Sequence, residues 1–581
     1  TAYNANFERI CLSCFLKIEL PHEQWECTMI HAAIASLPLS LDSVAKALNL
    51  EQKKMSEGRA LIRYFSMPCK PTKANGGRTR NLPEHDPEKW KVFKEYCIQD
   101  VNVEKAVRHK LRSVAITEQE RALINLDREI NDRGILIDTE LITHAIRIND
   151  EYRKTLVEKA VELTGLDNPN SVSQLKTWIE EEDGTEIDTL SKTAIPEILE
   201  NCNSEKVREM LNIRTMLAKS SVKKYAAMLS AVRRNGRISG LLQFYGASRT
   251  GRWAGRLVQM QNLPQNHIPD LDLARQVVKS GEGDVLELLY GNVPDILSQL
   301  IRTAFVAKEG YAFAVADFSA IEARVLAWLA GERWRLDVFN SHGKIYEASA
   351  SRMFKVPIDS ITKGSELRQK GKVAELALGY QGSVGALKAM GADKSGLSER
   401  EMQGLVNAWR EANPNIQKFW GIIEDAAMRA ITDRTGAVIN KNIKISCRNG
   451  RLRILLPSGR ELTYLNAAIG ENRFDRPSIT YLGLDQTTKK WGRLETYGGK
   501  LTENVTQAIA RDCLAEALLR LDAAGYKTVM HVHDEVIIEV KKKEANIEKI
   551  CGLMCDWGET GWATGLPLKA DGYVTDYYKK E

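Results

Sequence analysis

Apolar positions change their period several times along this chain, and the changes mark its elements. From 1 to 115, helix-like spacing alternates with short apolar runs, broken by the polar stretch Pro71 to Pro87, which reads as a loop. From 116 to 235 a helical period dominates. The stretch 117–138 predicts one long helix stopped at Gly134 and followed by a short strand. The stretch 219–237 predicts a basic amphipathic helix ending at Gly236. From 238 the texture shifts to short runs with Gly, Arg and Gln, typical of strands and tight turns. An unbroken apolar strand ends at Asp317 and leads into a helix reaching Glu332. Helical spacing returns over 333–430. A hairpin is predicted over 448–469, turning at Pro457-Ser458-Gly459, then a helix over 502–525. Two apolar runs over 528–540, split by His533-Asp534-Glu535, predict a second hairpin with a charged tip.

Length and composition narrow the class. At about 100–200 residues per domain, 581 residues make roughly three to five domains. Hydrophobic residues are 43% and charged residues 27%, which excludes collagen, long disorder and coiled coil. Lys and Arg number 82 against 76 Asp and Glu, an excess too small to argue for nucleic acid by itself. No apolar run is long enough to span a membrane, and no signal peptide is visible. Ten scattered cysteines suit a reducing compartment. The lone Cys11-x-x-Cys14 has no second ligand pair nearby, so free thiols are expected there rather than zinc. The first residue is Thr1, and a trimmed start is expected.

Two carboxylates stand out. Asp317 closes an apolar strand and Asp534 sits at the tip between two others. Buried without partners, each would be costly, so each must be capped, paired or bound to metal. A turn or cap role suffices for either alone. Aspartates from two strands of one sheet can instead bridge a pair of divalent ions. Arg368, Lys372, Leu376 and Tyr380 recur every four residues, which on a helix makes one stripe. Its cations can grip a triphosphate, and its apolar end can meet a base or sugar.

On these residues the chain resembles the family-A DNA polymerases, of the bacterial polymerase I type and most nearly their bacteriophage members. Asp317-Phe318-Ser319-Ala320-Ile321-Glu322-Ala323-Arg324 follows the family's first palm motif, and Val532-His533-Asp534-Glu535 its last. Arg368, Lys372 and Tyr380 follow the fingers motif, with Leu376 where the family has an aromatic. Thr250-Gly251-Arg252 and Gln261-Asn262-Leu263-Pro264 resemble the primer–template contact segment, and Gln507 falls at a DNA-contacting Gln.

The resemblance implies an α+β right hand: a palm with an antiparallel sheet, and helical fingers and thumb. It implies a thumb over 116–237, palm over 238–332 and 448–581, and fingers over 333–447. Asp317 and Asp534 would hold two Mg²⁺ ions (Mn²⁺ can substitute), with the Phe318 carbonyl as a further ligand and Glu535 accessory. Arg368 and Lys372 would bind the triphosphate, with Lys372 protonating pyrophosphate. Tyr346 stands where the family has a triphosphate-side His. Leu376 and Tyr380 would border the base pair. Glu322 would exclude ribonucleotides, partnered across the pocket by the residue at 376. Thr250, Arg252, Gln261, Asn262, Gln507 and His533 would contact DNA, and the basic helix 219–237 would lie along the duplex.

Residues 1–115 resemble the family's 3′–5′ exonuclease module, a ribonuclease-H-like α/β domain. It is incomplete here: Glu8 and the pair Tyr96 and Asp100 match its later motifs, and its first motif is missing. The implied function is DNA-templated DNA polymerisation on primer–template DNA with dNTPs, by a monomer, in the cytoplasm of a bacterial host if phage-encoded. A single-subunit RNA polymerase is the enzymatic alternative, disfavoured by Glu322. A nuclease that uses its polymerase half as a clamp and a non-catalytic DNA-binding replication accessory are the others.

Overall fold

The computed structural model describes residues 1–51, 55, 57–184, 186–393, 396–472, 475–558 and 561–580. At its centre lies a four-stranded antiparallel sheet, in the order Thr528–Val532, Glu535–Lys541, Tyr311–Phe318, Ala570–Thr575. The Tyr311–Phe318 strand reads as an unbroken apolar run because both of its faces are covered. Phe313 and Val315 join a core with Leu141, Ile148, Val278 and Leu297, from three helices. Ala314, Ala316 and Phe318 join the opposite core with Val325, Leu514, Leu518 and Met554. Alternate residues of a strand point to opposite faces, so a strand sandwiched between helix layers must be apolar at every position. Burial of each large side chain contributes about 1.5–3 kcal/mol.

Helix Glu118–Arg133 begins at the Thr117 cap and stops at Gly134, as its pattern predicts, and Ile135–Leu136 pairs with Arg237–Ile238. Helices Thr139–Thr164, Val172–Asp183 and Glu205–Leu217 then enclose a separate core around Leu156, Leu175, Ile179 and Leu211. The predicted basic helix is shorter than expected, running only over Lys223–Ala231. Val232 already bridges Ile238, and Gly236 at φ 75° turns the chain into the next strand. Three of its cations have partners within the chain. Lys219 pairs with Asp295, Lys224 Nζ donates to the Val258 carbonyl at 2.8 Å, and Arg233 donates to the Asp132 carbonyl. Lys223, Arg233 and Arg234 remain exposed.

The hairpin expected over 448–469 is real, turning at Pro457–Gly459, but it belongs to a larger sheet. Six strands from Ala437–Ile439 to Trp491–Thr496 follow one another as an antiparallel meander. Arg249 braces it, its guanidinium 4.4 Å from the Tyr464 ring and 4.6 Å from the Tyr481 ring. The described part of residues 1–115, expected as incomplete α/β, consists of helices with one isolated parallel bridge, Ala2 to Cys27.

A buried charge network ties these parts together. Arg511, on helix Gly498–Ala523, donates from Nη2 to Glu120 at 3.0 Å and from Nε to the Gly251 carbonyl at 3.0 Å. The next residue, Asp512, accepts from Arg460 Nε at 2.7 Å. Arg460 in turn reaches the Tyr245 hydroxyl and the Thr250 carbonyl. One cluster thus fixes four elements against the strand that begins at Arg252. Removing one partner of a buried pair strands the other's charge, at about 3–5 kcal/mol. Arg511→Ala is accordingly expected to lower the urea midpoint strongly; an unchanged midpoint would show that Glu120 finds other solvation.

Candidate active site

The two conspicuous aspartates meet at one end of the central sheet. Asp317 lies opposite Glu535 on one neighbouring strand and opposite Asp571 on the other. Val532 pairs with Glu535, leaving His533-Asp534 as a two-residue turn. His533 takes the left-handed conformation, φ 57°, that such a tight turn demands of its first central residue. The Phe318 N–H donates to the Asp534 carbonyl at 3.3 Å, so the backbone itself joins the two motifs.

Electrostatics at this end are unfavourable without a cation. Burial first, then the neighbouring Asp534 and Glu535, push the Asp317 carboxyl up to about 8. Burial likewise raises Asp534 and Glu535. Asp317 Oδ1 is buried and accepts no hydrogen bond among the described residues. Partial compensation comes from the chain's end: Lys580 favours the ionised form of all three acids. Tyr578 donates to Glu535 at 2.6 Å and itself accepts from Arg302 at 2.8 Å. Glu535 is thus committed to a protein hydrogen bond, whereas Asp317 keeps a free oxygen. Hard oxygen donors with an unmet charge suit Mg²⁺ or Mn²⁺. Among the described residues no group of three or more His, Cys, Asp or Glu forms a ready metal cage. A two-carboxylate site leaves coordination positions for a substrate.

The predicted stripe holds for three of its four residues. Arg368, Lys372 and Leu376 lie on helix Glu366–Leu378, and Tyr380 sits in the turn that follows. This helix packs closely on helix Ile345–Phe354 because residue 371 is Gly: a Cβ there would sit 2.3 Å from the Tyr346 carbonyl. Arg368 consequently donates to Glu347 at 2.6 Å and stacks 5.5 Å from the Tyr346 ring centre. Burial would raise Glu347, but the Arg368 hydrogen bond outweighs it and holds the carboxyl low. Lys372 makes no ion pair among the described residues. Leu376 is 51% exposed. Glu322 does not meet residue 376 as expected: Tyr380 donates to it at 2.8 Å and Arg252 pairs with its other oxygen. Leu376 has no polar atom to offer. Burial, then Glu322, raises the Tyr380 phenol well above its ordinary value, so it stays a donor. Glu322, Tyr346, Leu376, Tyr380 and Asp534 line one cavity of about 260 Å³.

Sequence reasoning missed that cavity's floor. Arg335 and Glu375 pair there, buried, with Trp409 Nε1 donating to Glu375 at 3.1 Å. Glu347, Lys580 and the Arg511 network also went unseen, for their partners lie far off in the chain.

Of the other expected contacts, Arg252, Gln261, His533 and Asp534 converge around a small cavity. Gln507 lies on the neighbouring helix, donating to Glu503 at 3.4 Å, and Asn262 is exposed. Thr250 is buried, with its carbonyl taken by Arg460. Of the exonuclease-like residues, Tyr96 is buried in an aromatic cluster with Phe65 and Phe93, Asp100 follows one turn later on the same helix Pro87–Leu111, and the carboxyl of Glu8, on helix Ala5–Leu16, is raised by burial and by Glu104 of helix Pro87–Leu111.

A buried antiparallel sheet carrying paired carboxylates at one end, with a cationic helix across the cavity, defines a nucleotidyl-transferring polymerase. The comparisons agree. The model of DNA polymerase family A matches residues 140–453. The DNA polymerase of Bacillus phage SP02 is 57% identical over 583 residues, covering 100% of this chain and 89% of that protein. DNA polymerase I of Pseudomonas aeruginosa is 22% identical over 476 residues, 78% of this chain but only 44% of the relative. The POL domain of Pol1 from M. smegmatis, solved in complex with DNA primer-template and dNTP, shares the fold at a TM-score of 0.60. That match has 18% identity and covers 95% of this chain and 81% of the other. The chain belongs to DNA polymerase family A and is a DNA-directed DNA polymerase.

The raised Asp317 carboxyl sets a pH dependence. Between about pH 4 and about pH 8 the folded chain keeps a proton there that the unfolded chain has lost, so this group lowers stability as pH rises. In EDTA, Asp317→Asn is expected to flatten that decline and to raise Tm at pH 8. Parallel melting curves across the range would mean that Asp317 ionises normally.

Proposed function

We propose that Asp317 and Asp534 are the metal-holding carboxylates with which this polymerase extends a primer 3′ end, using dNTPs and releasing pyrophosphate. One observation carries the reading: the buried, unpartnered Asp317 oxygen beside Asp534 at the end of the central sheet. Two divalent ions held there, with the Phe318 carbonyl as a further ligand, would supply charge neutralisation at the attacking and leaving oxygens. Glu535 supports the site from its Tyr578 hydrogen bond rather than as a primary ligand.

The rest of the work is positioning and charge. Arg368, freed from Glu347, and Lys372 bind the triphosphate. Lys372 Nζ gives its proton to the departing pyrophosphate. Tyr346 offers a hydroxyl donor on the triphosphate side but no charge. Leu376 and Tyr380 border the nascent pair. Glu322 blocks a 2′-hydroxyl, held in place by Tyr380 and Arg252. Arg252, Gln261, Asn262, Gln507 and His533 contact primer and template without reading sequence. In this reading residues 116–237 form the thumb, 238–332 and 448–581 the palm, and 333–447 the fingers. The primer-template and dNTP in the M. smegmatis complex support the substrate assignment. No described helix is long and apolar enough to cross a membrane, and the phage relative fits action inside a bacterial host cell.

Primer extension tests both halves of the assignment. Asp534→Asn is expected to keep DNA affinity and lose extension by several orders of magnitude, whereas near-normal extension would refute the metal assignment. Glu322→Ala is expected to raise the ratio of rNTP to dNTP insertion; an unchanged ratio would remove Glu322 as the sugar gate.

A further inference from the structure

A second basic feature lies away from the carboxylates. Helix Pro87–Leu111 and helix Glu118–Arg133 wall an open groove of about 840 Å³, closed at one side by the segment around Trp25. Lys105, Arg108 and Arg112 line one wall and Arg121 the other. Lys105 and Arg112 are seven residues apart, about 10 Å along a helix. Acidic residues are few: Glu23 lies at the edge, and Glu26 pairs with Arg108 at 3.1 Å. Lys105, Arg112 and Arg121 are exposed and make no ion pair among the described residues.

Local physics explains part of this charge and not the rest. Cations in the last turn of helix Pro87–Leu111 complement its negative end. Arg121, however, stands near the start of its helix, just after Glu118 and Glu120, where a cation opposes the dipole. Arg128 adds a buried guanidinium that holds the carbonyls of His22, at 2.8 Å, and Trp25, at 3.0 Å, and so fixes the Trp25 segment against the groove. Trp25 is half-buried, and the floor beside it is apolar, with Ile30, Ile116 and Ile124.

We propose that this groove is a second, sequence-independent binding site for single-stranded DNA, separate from the Asp317–Asp534 centre. Cationic walls follow a phosphate backbone, and a flat indole stacks any base. A duplex keeps its base faces stacked inside and could not use Trp25, so a single strand is the form the groove fits. The site shares no lining residue with the cavities around Glu322 and Asp534.

The test uses the full chain with its extension cleft saturated by unlabelled primer–template. Binding of a fluorescent oligo-dT is followed by anisotropy over a salt series. Replacing Lys105, Arg112 and Arg121 together by Gln is expected to weaken oligo-dT binding at least tenfold and to lower the salt slope by about 2, at about 0.7 per lost contact. Primer extension should be unchanged. Trp25→Ala should weaken binding about tenfold with the slope preserved. If the triple variant does not fold, Arg121→Gln alone carries the test, with an expected slope change of about 0.7. An unchanged affinity and slope would overturn the proposal. So would equal competition by inorganic polyphosphate together with an inert Trp25→Ala, which would mark a general anion patch.

Discussion

Like charges forced together at the end of a buried sheet govern this molecule. Strand register puts Asp317 against Glu535, and a two-residue turn puts Asp534 beside both. Helix layers cover both faces of the sheet and keep Asp317 Oδ1 from water, so solvent relieves the crowding only in part. Protonation is one escape, and the Asp317 carboxyl at about 8 expresses it. A divalent cation is the other, and it is the one that serves phosphoryl transfer. The protein offsets only part of the repulsion itself, with Lys580 and the Arg302–Tyr578–Glu535 chain. Asp317 is left with an oxygen that no described residue satisfies.

Across the cavity, the polar side chains are likewise held in place through internal partners. Arg368 rests on Glu347, and Glu322 is shared by Tyr380 and Arg252. Each of these side chains is prepositioned by its partner, so little rotamer freedom is left to lose. The close approach of two glycines makes this geometry possible. Gly371 lets the cationic helix touch the Tyr346 backbone, and Gly499 lets the long helix Gly498–Ala523 reach the turn at Tyr380, where a Cβ would lie 2.5 Å from its carbonyl.

Much of this was legible in the sequence where the signal was local. The strand ending at Asp317, the hairpin carrying Asp534 and the helix of Arg368 and Lys372 follow from period and spacing, and the motif order identified the family. The failures share one cause. The basic helix was drawn too long because a helical period continued through Val232, and only pairing with Ile238 showed the chain had turned. Four of the six strands of the meander were not predicted, since each is short and its partner in register is a tertiary fact. Glu322 was assigned to residue 376 by analogy, yet Leu has nothing to bond and Tyr380 does. Glu347, Arg335 with Glu375, and Arg511 with Glu120 are long-range charge pairs that no spacing rule reports.

The central claim is that Asp317 and Asp534 share divalent ions. Anomalous diffraction from crystals soaked in Mn²⁺, grown with a chain-terminated primer–template and the next dNTP, tests it directly. The account predicts manganese peaks within coordination distance of both carboxylates and absent from Asp317→Asn crystals. Peaks bound elsewhere with the pair left bare, or peaks that persist in Asp317→Asn, would contradict it.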